Sequence, residues 1–171
     1  MPSGHLEFRL GRNVPSALAN SLEKVQRKGV GSSAMGVQLS KDSIDLGIVI
    51  SDSEAALAFY RDLLGLEHVA DTPMPAGMKG TMHRLLCGSS LIKLVKLDEV
   101  PEARPAKGGI AGATGYRYFT MIVDNLAEIT GAVKAAGHKV RIDAAEIRPG
   151  VSISMVEDPD GNWVEFVQDN S

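Results

Sequence analysis

Apolar and polar residues alternate through Ile44-Asp45-Leu46-Gly47-Ile48-Val49-Ile50, and the even-numbered positions form a continuous apolar face. That period of two predicts a strand with one buried side. The period then changes. Ser51 and Glu54 have the spacing of a capping box, with Asp52 as the alternative cap, and Ala56, Phe59, Tyr60 and Leu63 recur at helical spacing up to Gly65. Leu66 to Ala70 reads as a strand and Asp71 to Thr81, with two prolines and two glycines, as a loop. Met82 to Cys87 and Leu91 to Leu97 are further strands joined by the turn Gly88-Ser89-Ser90.

The same order then recurs. Tyr116 to Val123 predicts a strand, and Asn125 caps a helix carrying Leu126, Ile129 and Val133 on one face and ending at Gly137. Strands follow at His138 to Ile142, Val151 to Val156 and Asn162 to Val167. Each half reads strand, helix, strand, strand, strand, and neither could bury both faces of its own sheet. The expected architecture is therefore α+β, with two paired βαβββ modules forming an open, cupped eight-stranded sheet. The expected boundaries are an N-terminal extension at 1–42, the modules at 43–100 and 116–171, and a Pro/Gly/Ala-rich linker or lid at 101–115. Within the extension, Pro15, Leu18, Leu22, Val25 and Gly29 predict a helix near 15–28.

The final turn and strand carry the sharpest local signal. Asp158-Pro159-Asp160-Gly161 is turn chemistry, and in Asn162-Trp163-Val164-Glu165-Phe166-Val167 alternation puts Trp163, Glu165 and Val167 on one face. A carboxylate in mid-strand is costly unless a cation, a metal or water faces it. Composition narrows the partners. A net charge of −3 with no basic cluster leaves no footprint for nucleic acid, and no apolar run approaches a membrane span. The single cysteine, Cys87, excludes an intrachain disulfide and suits a reducing, cytoplasmic setting. Gly108 to Gly115 lacks the Lys-Ser/Thr ending of a phosphate loop and precedes a strand, so no nucleotide site is expected there.

Taken together, Ile44 to Asp52 leading into Ala58 to Leu66, Val123-Asp124-Asn125 through Gly137, and Asp158 to Phe166 resemble the vicinal oxygen chelate superfamily of glyoxalases, bleomycin-resistance proteins and dioxygenases. The resemblance implies one pocket in the cup, and in many members a divalent metal held from four strand positions. Those positions fall here on Asp45, Lys93, Tyr118 and Glu165, of which only Glu165 is the usual residue type. An ammonium has only donors and repels a second cation, so this set implies no metal cofactor. The resemblance thus points to an isomerase, epimerase or lyase acting on a small carbonyl compound. Lys93 would stabilise a developing oxyanion, Glu165 act as base and Tyr118 donate a hydrogen bond, with Asp45, His83, Trp163 and Tyr116 binding substrate. The alternative is a drug- or metabolite-binding protein without turnover. A homodimer is expected, because relatives of this kind often share clefts between chains.

Overall fold

The computed structural model describes residues 36–171; the helix predicted near 15–28 lies outside them. Ser40–Ser171 forms one unit. Its first half runs β1 (Leu46–Ile50), α1 (Ser53–Leu57), β2 (Glu67–Pro73), β3 (Gly80–Cys87) and β4 (Ser90–Leu97). The second half runs β5 (Tyr118–Ile122), α2 (Leu126–Ala135), β6 (Val140–Arg148), β7 (Val151–Glu157) and β8 (Trp163–Asp169). The strands form two open four-stranded sheets of matching design, ordered β1-β4-β3-β2 and β5-β8-β7-β6. In each, the first strand crosses over to pair in parallel with the last, and the other pairings are antiparallel.

Local chemistry explains the helix starts and corrects one expected cap. Asp52 accepts from the Ala55 N–H at 2.8 Å, so it caps α1. Asn125 occupies the equivalent position before α2, but its side chain makes no capping bond; Gln168 Oε1 accepts from the Leu126 N–H instead. The helical path of α1 continues through Ala58–Leu63 as a wider turn, with the Leu64 N–H bonded to the Phe59 carbonyl. This turn carries Phe59 and Tyr60 into the core, where both are fully buried. Each such burial stabilises the fold by roughly 1.5–3 kcal/mol. Ile48, Ile50, Leu85, Ile92 and Leu94 from the first sheet join Met121, Val156, Val164 and Phe166 from the second in the same apolar cluster.

Several strands run past the bounds that the sequence pattern suggests. β2 reaches Pro73 and β3 begins at Gly80, so the loop expected over Asp71 to Thr81 is much shorter. β6 extends to Arg148, past the expected end at Ile142. Both β2 and β6 are outer strands, and both ladders shift register along their length. In the other direction, β5 begins at Tyr118, leaving Tyr116 outside the strand and fully exposed.

The halves are fastened through the turn before β8. Asp158, 5% exposed, accepts from the Asp160 and Asn162 N–H groups through Oδ1, and from the Asn162 amide and the Tyr60 hydroxyl through Oδ2. A second bond crosses from the Ser51 N–H to Asp160 Oδ2 at 2.9 Å. Burial raises the Asp158 pKa above its ordinary 3.8, while the bonds from Asn162 and Tyr60 pull it back down. A raised carboxyl pKa means that Asp158 favours folding most below its unfolded pKa, and that this support is lost as pH rises through the folded value. Tyr60→Phe removes a bond that is stronger to the carboxylate than to the acid. It should cost about 1.5–3 kcal/mol near neutral pH and less in acid, measured by urea unfolding across the pH range.

Candidate functional site

A cleft of about 730 Å³ runs along β1 and β5, the outer strands of their respective sheets. Each is paired on one side only, so backbone edges as well as side chains border the opening. Ile44, Leu46, Ile48 and Ile50 line it from the first half, and Tyr118, Phe119, Thr120 and Trp163 from the second. Its character is apolar and aromatic, with Ser51, Asp160 and Asn162 as polar fittings.

The linker closes part of this cleft. Val100, Pro101, Ala103, Arg104 and Pro105 contribute to the lining. Arg117 donates to the Gly109 carbonyl at 2.8 Å and to the Ala106 carbonyl at 2.7 Å, holding the segment down. Gly109 has φ +59° and sits so close to the indole of Trp163 that a Cβ would penetrate the ring. The indole N–H in turn donates to Glu157, which is also paired with Arg141 and Lys139. Trp163 is thus a platform between the linker and a charged cluster.

Beside the cleft lies the open face of the first sheet. Lys93 is the register partner of Gly47, whose missing side chain leaves the space in front of it free. Its ammonium stands 3.1 Å from Asp45 Oδ2, while Lys41 and the Leu91 N–H bond to Oδ1. Lys41 first and Lys93 second hold the Asp45 carboxyl well below the usual carboxylate range. Arg84 is directly opposite Lys93 on β3 and shares its face. Its Nε is buried without a hydrogen-bond partner, an uncompensated donor of a kind rare in folded proteins. Sequence reasoning missed Arg84; the strand register that places it beside Lys93 is its only signal.

The remaining expected site residues fall in three places. Tyr118, Tyr116 and Trp163 line the cleft. Glu165, on the open face of the second sheet, accepts from the Thr120 hydroxyl at 2.5 Å, and Thr120 itself lines the cleft. Among the described residues Glu165 has no cation within ion-pair distance, so within one chain Lys93 pairs with Asp45 and not with Glu165. His83 lies on the strand next to Lys93 but faces the other way. It is paired with Leu94, is 7% exposed, and bonds to Ser53 and Asp71 on the helix-covered side. Alternation puts it on the face opposite Lys93, and β4 lies between its strand and β1, along which the cleft runs.

Residues 43–166 match the family model of the Glyoxalase/Bleomycin resistance protein/Dioxygenase superfamily. The chain belongs to that superfamily. It is 27% identical over 125 residues to a lactoylglutathione lyase of Haemophilus influenzae, covering 71% of this chain and 88% of that protein. A glyoxalase family protein from Bacillus cereus superimposes with a TM-score of 0.70 at 13% identity, covering 81% of this chain and all of the other. A lactoylglutathione lyase from Agrobacterium tumefaciens superimposes with a TM-score of 0.53 at 26% identity, over 76% of this chain and 96% of that one.

The contact between Gly109 and Trp163 has a direct optical readout, because Trp163 is the only tryptophan in the chain. Gly109→Ala adds a Cβ that meets the indole, and its left-handed backbone alone costs about 1–2 kcal/mol. The linker should lift from the ring, giving red-shifted emission and stronger acrylamide quenching than in the parent protein.

Proposed function

We propose that this chain acts on a small carbonyl compound as a lyase, isomerase or epimerase, with fixed side-chain charge in place of a metal at the superfamily's ligand positions. The observation that carries the reading is the Lys93 ammonium 3.1 Å from Asp45, two of the four positions from which relatives would hold an ion. Both oxygens of that carboxylate already face cations, Lys41 and Lys93. Such a donor set suits an anion better than a divalent cation. The unpartnered Arg84 Nε on the same face supports an anionic oxygen there. Lys93 and Arg84 would then stabilise an enolate or alkoxide, Tyr118 would donate to the same oxygen, and Glu165, steadied by Thr120, would carry the proton.

A homodimer completes this reading. Within one chain Lys93 and Glu165 belong to different sheets. The open faces bearing them also expose Val49 (51%) and Ile122 (73%). A second copy laid across these faces would cover the apolar residues and bring the ammonium of one chain to the carboxylate of the other. A second reading, binding without turnover, is favoured by the apolar and aromatic lining of the cleft.

The test is a panel of small ketoaldehyde adducts and lactoylglutathione offered to chelator-treated protein. Binding is followed by Trp163 emission and turnover by product formation. Turnover should survive the chelator, and Lys93→Met and Glu165→Gln should each lower kcat by about 10²–10³-fold with binding retained. Binding without turnover in the parent protein would select the sequestration reading. Activity that disappears with the chelator and returns with added metal would overturn the metal-free mechanism.

A further inference from the structure

The helix-covered side of the first sheet holds a second grouping of chemically capable side chains. His68 and Asp71 on β2 meet His83 on the adjacent β3. The register shift between His68 and Ala70 turns His68 and Asp71 toward the same side. A single carboxylate oxygen, Asp71 Oδ1, lies 2.6 Å from His68 Nε2 and 2.7 Å from His83 Nδ1. The three ligand atoms lie within 4.8 Å of one another. His83 is buried and His68 half-buried, while the Asp71 side chain is 53% exposed. The grouping is therefore fixed from below and reachable from solvent.

We propose that His68, Asp71 and His83 form a divalent transition-metal site of the zinc type, with a fourth position open to solvent. The donor set is two imidazoles and one carboxylate, the mixture that borderline-soft cations prefer. Metal bonds of about 2.0–2.1 Å in a tetrahedral arrangement put ligand atoms roughly 3.3 Å apart. Each Asp71–imidazole distance needs to open by only about 0.7 Å on that estimate, for which the exposed Asp71 side chain has room to swing outward, while the two imidazole nitrogens, within 4.8 Å of each other, settle to the same spacing. Binding takes a lone pair from each of these two nitrogens, so the N–H proton each now shares with Asp71 Oδ1 passes to the other nitrogen of the same ring.

The second nitrogen of His83 strengthens the assignment. Its Nε2 lies 2.8 Å from Ser53 Oγ. A metal-ligating histidine characteristically donates its remaining N–H to an oxygen that fixes ring and tautomer, and Ser53 is that oxygen. Ser53, His83 and Asp71 also line up as a hydroxyl–imidazole–carboxylate relay. Two features argue for a metal over a serine nucleophile. A relay has no use for the second imidazole on the same carboxylate oxygen, and the large cleft borders none of these residues.

This site is independent of Lys93 and Glu165, and the metal alone is the probe. Chelator-treated full-length protein is titrated with Zn2+ by calorimetry and with Co2+ by visible absorption. One equivalent should bind, and the Co2+ form should show the intense bands of a four-coordinate nitrogen/oxygen site. His68→Ala and His83→Ala should each weaken Zn2+ affinity at least 100-fold. Ser53→Ala should weaken it about 10-fold, whereas Lys93→Met and Glu165→Gln should leave it unchanged. Should the histidine variants lose their fold by circular dichroism, the paramagnetic shifts of the His68 and His83 ring protons in the parent Co2+ form decide the matter. No stoichiometric uptake by the parent protein, unshifted ring protons, or equal affinity without both imidazoles would each overturn the assignment.

Discussion

The Asp158 carboxylate is the constraint on which the arrangement of the two halves depends. It closes the turn leading into β8 by accepting two backbone N–H groups, and the Tyr60 hydroxyl reaches it from the first half. A carboxylate this deep is tolerated because both oxygens are satisfied; the desolvation that raises its pKa is countered in part by the bonds from Asn162 and Tyr60. Because Tyr60 and Phe59 are delivered by one widened helical turn, the polar fastening and the apolar core share an origin. The outer strands β1 and β5 then lie along a common cleft.

Much of this was legible in the sequence, for identifiable reasons. β1 announced itself because Leu46, Ile48 and Ile50 lie toward the core, and the turn before β8 because Asp158, Pro159 and Gly161 each suit a turn differently. Legibility failed at outer strands. Glu67 to Pro73 and Val140 to Arg148 are exposed along much of their length, so polar residues are tolerated on both faces and no clean alternation survives. It failed again wherever register decides facing. Nothing in Met82-His83-Arg84 says that histidine turns toward the helix and arginine toward Lys93; that follows only from the pairing of β3 with β4. The seat of Gly109 on Trp163 depends on a tertiary meeting of distant segments and leaves no local trace.

The two faces of the first sheet divide the chemistry between them. One side pairs Lys41 and Lys93 with a single carboxylate and sets Arg84 opposite Lys93, an excess of donors suited to negative oxygen. The other places two imidazoles on one carboxylate oxygen, a set of lone pairs once each N–H proton passes to the far nitrogen of its ring. Strand alternation alone keeps these opposite preferences apart, although His83 and Arg84 are adjacent in the chain.

The cleft owes its shape to two sheet margins that, among the described residues, share no ladder hydrogen bonds. No strand pairing therefore fixes its aperture, and the Tyr60–Asp158 and Ser51–Asp160 bonds join the halves instead. With no ladder across that seam, its width is set by the side chains that meet there rather than by the spacing of paired strands.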